Sequence, residues 1–129
     1  MNARILVIED DKFLRKACEV SLTKRGFTVL TAVDGEEGIR QAREGSPDLI
    51  LLDMLMPKMT GIETLEILKK DEQTCNIPVV ILSNSSIEAD VQKASSLGAV
   101  GYLVKAALSL RELGDRVIGF LEEAEKPFN

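Results

Sequence analysis

The sequence predicts an α/β fold, a doubly wound (βα)5 three-layer sandwich built on a single parallel sheet. Three observations carry this expectation. Five short apolar runs recur along the chain, and most are close to continuously Ile, Leu and Val, as strands covered on both faces are. Amphipathic helical stretches separate them. The connections are short, and strict alternation of strand and helix forces parallel pairing with right-handed crossovers.

The elements follow in order. Ile5–Ile8 reads as the first strand. Residues 12–24 place Phe13, Leu14, Ala17, Cys18 and Leu22 along one helical stripe, and Gly26 follows as a left-handed C-terminal cap. Phe27–Leu30 is more mixed (Phe-Thr-Val-Leu) and suits an edge strand. Asp34 and Glu37 have capping-box spacing for the second helix, which Gly45 would close. Leu49–Leu52 is the third strand. Thr60 and Glu63 open a helix over 61–70 with Ile62, Leu65, Ile67 and Leu68 as its apolar positions and Lys69 and Lys70 at its end. Val79–Leu82 is the fourth strand, Ser85 and Glu88 cap a helix over 87–97, and Gly98 ends it. Tyr102–Val104 is the fifth strand, and Ser109 and Glu112 open a last helix over 110–124, leaving 125–129 as a tail. With 129 residues and no linker or low-complexity stretch, the expectation is one domain over 1–129 with its core at about 3–124.

Composition excludes several chemistries. Sixteen Lys and Arg against 21 Asp and Glu leave a net charge of −5, which argues against direct nucleic-acid binding by these residues. With no histidine there is no His-based triad, no His-ligated metal and no phosphohistidine donor. Cys18 and Cys75 make neither a zinc site nor a disulfide framework, which suits a reducing compartment. No apolar run approaches the ~18 residues of a membrane span, and the first run is too short for a signal peptide. The expectation is a soluble, cytoplasmic domain.

Ligands of open parallel sheets bind at the carboxyl ends of the strands, where the strand order reverses. The first strand ends in Glu9-Asp10-Asp11, the third in Asp53, the fourth in Ser83-Asn84 and the fifth in Lys105. In the flavodoxin-like order 2-1-3-4-5 the reversal lies between strands 1 and 3, where the carboxylates converge. Like charges so close need a compensating cation. Oxygen donors without His or Cys favour a hard ion, and Mg²⁺ fits best because it takes one or two carboxylates and keeps room for a phosphate oxygen. Lys105 supplies a point charge and Ser83 a hydroxyl, which suits a tetrahedral dianion on Asp53. Taken singly, acids at strand ends are often just helix caps, Lys105 a surface lysine and Ser83-Asn84 a turn; four strand ends with complementary chemistry favour a site.

At these residues, over about 3–124, the sequence resembles the receiver domain of two-component response regulators. Ile-Leu-Val-Ile-Glu-Asp-Asp matches the family's first strand with Glu9 and Asp10 as its acidic pair, while Asp11 falls at a variable position. Asp53 opens Asp-Met-Leu-Met-Pro-Lys-Met-Thr-Gly, similar to the phosphoacceptor segment, with Pro57 and Gly61 in place. Ser83, Tyr102 and Lys105 match the Ser/Thr, aromatic switch and lysine positions. The resemblance implies a phosphorylation switch. A sensor histidine kinase or phosphotransfer protein would donate to Asp53. Mg²⁺, with Mn²⁺ as a substitute, would be held by Asp10, Asp53 and the Leu55 backbone carbonyl, and by Glu9 through a water. Lys105 would pair with the phosphoryl oxygens. Ser83 would be drawn to the phosphoryl group, Tyr102 would move inward, and the surface over 86–124 would change. The implied partners are that donor and a downstream protein target, with no direct nucleic acid, no membrane, and a monomer or phosphorylation-dependent dimer.

Three positions depart from or vary within the pattern. The family usually has a cis-linked Pro after its lysine; here it is Ala106, and a cis bond before a non-proline costs ~2.5–4 kcal/mol, which favours trans. Leu55 and Ser85 border the route of water to the phosphoryl group, and an apolar Leu55 implies slow self-dephosphorylation. The rivals are three. A flavodoxin-like cofactor binder would need a phosphate loop where Glu9-Asp10-Asp11 stands. A haloacid-dehalogenase-like phosphatase would need Asp at position 55. A degenerate receiver would have lost its phosphorylation residues, and all are present.

Overall fold

The computed structural model describes residues 2–84 and 88–125. The order of elements is β1 (Arg4–Ile8), α1 (Lys12–Lys24), β2 (Thr28–Ala32), α2 (Gly35–Gly45), β3 (Leu49–Asp53), α3 (Gly61–Lys70), β4 (Val79–Ser83), α4 (Glu88–Ser96), β5 (Gly101–Val104) and α5 (Leu110–Glu125). A 3-10 turn, Lys105–Ala107, joins β5 to the approach of α5. The five strands form one sheet in the order β2-β1-β3-β4-β5, and every pairing is parallel. The predicted doubly wound, flavodoxin-like architecture is therefore the observed one.

Period-two alternation splits each central strand between two cores. Leu6, Ile8, Ile50, Leu52, Val79 and Ile81 face α2, α3 and α4, where Ile39, Ala42, Leu65, Leu68 and Ala94 cover them. Ile5, Val7, Leu49, Leu51, Val80 and Leu82 face α1 and α5, under Cys18, Leu22, Leu113, Val117 and Leu121. β3 and β4 are buried along their whole length, whereas edge strand β2 is half-buried, which is why its sequence reads as mixed.

The caps explain the boundaries. Thr60 and Glu63 form a reciprocal capping box, and so do Ser109 and Glu112. Asp34 accepts from the Glu37 N–H. Asp11 caps α1 by accepting from the N–H groups of Phe13 and Leu14. Ser85, the start of the predicted 87–97 helix, residues 86 and 87 of the expected switch surface, and tail residues 126–129 lie outside the described residues.

Three expectations need correction. β2 starts at Thr28, because the Phe27 N–H is taken by the Leu22 carbonyl in the turn that ends α1. Gly26 and Gly98 take the positive φ of left-handed caps, but Gly45 is the last residue of α2 and Ser46 takes the left-handed position with φ of 46°. Gly45 instead makes room for β2, since a Cβ there would lie 2.5 Å from Leu30 Cδ1. Phe13, placed on the buried stripe by its spacing, is 80% exposed. It sits in the first turn of α1 and lines a surface groove with Ala17, Val20 and Leu110, with Lys12 Nζ 5.7 Å from its ring centre. Among the described residues no helix is long and apolar enough to cross a membrane.

Candidate functional site

The carboxyl ends of β1 and β3 are neighbours, and the strand order reverses between them. Glu9 follows β1 and is buried, Asp10 beside it is exposed, and Asp53 ends β3 with only 4% of its surface exposed. One carboxylate oxygen from each of the three lies within 4.8 Å of the others. Lys105 reaches in from the end of β5: its Nζ is 3.1 Å from Asp53 Oδ1 and 2.9 Å from Glu9 Oε1. It does so with a trans peptide to Ala106, as the cost argument favoured.

Local backbone fixes the carboxylates. The Asp11 N–H donates to Glu9 Oε2 at 3.1 Å, and the Leu55 N–H donates to Asp53 Oδ1 at 3.3 Å. Leu55 itself points its side chain to solvent, 72% exposed. Behind Asp53, the chain turns back so that the Gly61 N–H donates to the Met54 carbonyl. Gly61 then lies directly on the backbone of Asp53 and Met54: a Cβ at 61 would meet the Asp53 carbonyl oxygen and come within 2.7 Å of Met54 Cα. This close approach is the physical requirement for glycine at the end of the Asp53–Gly61 segment.

The electrostatics follow from burial and repulsion. Desolvation, then hydrogen bonding and repulsion from Glu9, push the Asp53 carboxyl up to about 7, although Lys105 pulls it down. Burial alone would lower the Lys105 ammonium, but the combined pull of Glu9 and Asp53 outweighs it and holds the ammonium above its ordinary value. The buried Cys18 thiol is pushed up to about 11 by desolvation and by Glu9, so it is a neutral core group, and both cysteines are free.

The donor set fits a hard divalent ion. Glu9 Oε1 is buried and has no hydrogen-bond partner among the described residues, with the Lys105 ammonium 2.9 Å away as an ion pair. Three clustered carboxylates around one lysine ammonium are the environment an oxygen-liganded cation relieves.

Ser83 ends β4, buried, opposite Val104 in the register. Tyr102 pairs with Ile81 and packs against the core beneath α4; its hydroxyl is already buried and has no hydrogen-bond partner among the described residues. The structure thus brings Glu9, Asp10, Asp53 and Lys105 into one constellation, with Leu55 joined to Asp53 through its N–H. Asp11 is a helix cap, the alternative that the sequence left open for an acid at a strand end. One contributor escapes sequence reading. Arg15 donates through Nη1 to the carbonyls of Glu9 at 2.8 Å and Asp10 at 3.3 Å, and nothing in the local pattern announces it.

Known proteins resemble this chain along nearly its whole length. The family model described as the response regulator receiver domain matches residues 5–118. The transcriptional regulatory protein AfsQ1 of Streptomyces coelicolor is 37% identical over 122 residues, covering 95% of this chain and 52% of that protein. RpaA of Synechocystis, a DNA-binding dual master transcriptional regulator by name, is 34% identical over 123 residues, covering 95% of this chain and 51% of that protein. The Francisella response regulator 1452 receiver domain superposes with a TM-score of 0.87 at 31% identity, covering 96% of this chain and all of that one. The chain spans about half the length of these curated relatives.

The relatives overturn the expected partner set, with its protein target and its exclusion of nucleic acid. Transcriptional regulators, one of them DNA-binding by name, share this stretch. The net charge of −5 describes these 129 residues alone. It does not bear on what those relatives, about twice as long, contact through the rest of their length. A family match over residues 5–118 is joined by identities above 30% across nearly the whole chain: the chain belongs to the receiver-domain family of response regulators, the signalling switches of two-component systems.

Proposed function

We propose that this domain is switched by phosphorylation of Asp53. The observation that carries the reading is the position of Lys105, whose ammonium bridges Asp53 and Glu9 at 3.1 and 2.9 Å and so stands beside the oxygens of any group attached to Asp53. The Asp53 carboxylate attacks the phosphorus of a phosphohistidine donor; the new O–P bond forms as the P–N bond breaks, and the imidazole leaves with the electron pair. Asp10, Asp53 and the Leu55 carbonyl would hold Mg²⁺, with Glu9 acting through a water, and the bound ion supplies neutralisation of phosphoryl charge. Lys105 orients the phosphoryl oxygens. Positioning and electrostatic stabilisation suffice for this class of transfer.

The product adds roughly −1.5 to −2 charges if it behaves as other phosphorylated side chains do. Ser83, at the neighbouring strand end, is the hydroxyl placed to respond. Tyr102, one strand further along the sheet, couples that response to the face formed by α4, β5 and α5. The test is incubation with Mg²⁺ and acetyl phosphate followed by intact mass measurement. One phosphoryl group on the native chain and none on Asp53→Ala is expected. No adduct on the native chain, or an undiminished adduct on the variant, refutes the reading.

A further inference from the structure

We infer that Arg15 is a positioning residue for the acidic pocket, holding the β1–α1 connection in the shape that binds a divalent ion. The inference rests on the reading of Asp10 and Asp53 as ion ligands.

Asp53 and Glu9 are buried and have their own restraints: Asp53 ends a fully buried strand, and Glu9 is held by the Asp11 N–H and Lys105. Asp10 is different. It is exposed, and its carboxylate has no hydrogen bond or ion pair among the described residues. Its place is set by the backbone that carries it, and that backbone has left the sheet: β1 ends at Ile8 and α1 begins at Lys12. The carbonyls of Glu9 and Asp10 lie in this gap, outside both elements. Arg15, one turn into α1, supplies both with a donor through the same Nη1, at 2.8 and 3.3 Å. Its own N–H bonds the Asp11 carbonyl at 2.9 Å, so the guanidinium is anchored on the helix that Asp11 caps. A charged, planar group on a half-buried helix position thus clamps the two residues that lie between a rigid strand and a rigid helix.

This role makes a prediction opposite in sign to simple electrostatics. Glu9, Asp10 and Asp53 bring three negative charges, and Lys105 already brings one positive charge. Arg15 adds a second positive charge nearby, which repels a cation. If charge alone mattered, removing Arg15 would tighten Mg²⁺ binding. If Arg15 holds the ligands in place, removing it weakens binding even though repulsion is relieved.

Mg²⁺ affinity is measured by isothermal titration on the full chain at fixed ionic strength, for native protein, Arg15→Gln and Arg15→Lys, with thermal melts of each in chelator. Arg15→Gln is expected to bind about 10-fold more weakly, the usual cost of losing a group that orients a ligand. Arg15→Lys keeps the charge and a donor but not the forked geometry, and falls between the two. Equal or tighter binding by Arg15→Gln overturns the inference, as does a lowered melting temperature with unchanged affinity, the signature of a residue that only stabilises α1. Should Arg15→Gln fail to fold, the lysine variant decides: binding weaker than native upholds the inference, and native affinity overturns it. No Mg²⁺ binding by the native chain overturns this inference together with the proposed ion site, whereas native binding left untouched in the variants overturns this inference alone.

Discussion

Gly61 rests directly on the backbone of Asp53, close enough that no side chain fits between them. The residue that opens α3 is thereby a wall of the β3 strand end, and its N–H bond to the Met54 carbonyl at 2.9 Å closes the loop that carries Leu55 and Pro57. The obstructing atoms are backbone, which cannot move aside as a flexible side chain could. Gly61→Ala is therefore expected to destabilise the fold by about 1–3 kcal/mol, the usual range for overpacking, and to displace the Asp53 carboxylate. Chemical denaturation measures the first effect and phosphorylation rate with acetyl phosphate the second. A variant matching native protein in both would show that α3 can shift at no cost.

The Asp53 carboxyl is pushed up to about 7 in the fold, against ~3.9 in an unfolded chain. Between about pH 4 and pH 7 the folded protein holds a proton that the unfolded chain has lost. Stability without metal therefore rises as pH falls through 7 towards 4, and the penalty of the buried charge is fully present above 7. Asp53→Asn removes that penalty. In chelator at pH 8 it is expected to be more stable than native protein by on the order of 1 kcal/mol, a few degrees in melting temperature. At pH 5 the gap should shrink. Thermal melts at the two pH values check it, and an equal gap at both would contradict the buried-charge explanation.

Tyr102 carries a buried hydroxyl with no hydrogen-bond partner among the described residues. Such a group costs about 1–3 kcal/mol relative to a satisfied one. Tyr102→Phe keeps the ring against the core under α4 and deletes the unpaired oxygen. It should be neutral or stabilising by about 1 kcal/mol in urea unfolding. A loss of more than that would mean the hydroxyl has a partner that the resting packing does not reveal.

Leu55 stands two residues after Asp53 with an exposed apolar side chain, so nothing at that position orients water towards Asp53. On the proposed function, Leu55→Asn or Leu55→Glu should shorten the lifetime of the phosphorylated protein several-fold. The decay of the intact-mass adduct after removal of acetyl phosphate measures it. An unchanged lifetime would place control of the water elsewhere.

Much of this protein is legible in its amino-acid order. The apolar runs announce β1, β3 and β4 to within a residue at each end, because strands buried on both faces leave few polar positions to confuse the pattern, and β5 is as legible although it is a half-buried edge strand. Boundaries fail where one residue serves two elements. Phe27 reads as strand but its N–H closes the end of α1, and Gly45 reads as a cap although its role is to admit Leu30. Phe13 misleads for another reason: it lies about 100° around α1 from Leu14, on the flank that lines a surface groove with Ala17 and Val20, while Leu14, Cys18 and Leu22 take the core side. The expected partners fail differently, since relatives that share this stretch are transcriptional regulators, one of them DNA-binding by name, whatever the average charge of the stretch itself.

The candidate residues at the strand ends can be named from the sequence alone, because parallel alternation dictates that all five strands point their carboxyl ends the same way. Periodicity, caps and short connections therefore determined the fold class and the edge of the sheet at which chemistry must sit. Only the tertiary structure decided that Lys105 reaches both Glu9 and Asp53, that Glu9 is buried while adjacent Asp10 is exposed, that Gly61 walls the Asp53 backbone, and that Arg15 clamps the loop between β1 and α1. These are side-chain to side-chain and side-chain to backbone distances across up to 96 residues of chain, from Glu9 to Lys105. They depend on sheet register and helix placement, which packing of the two cores sets and which no local pattern encodes.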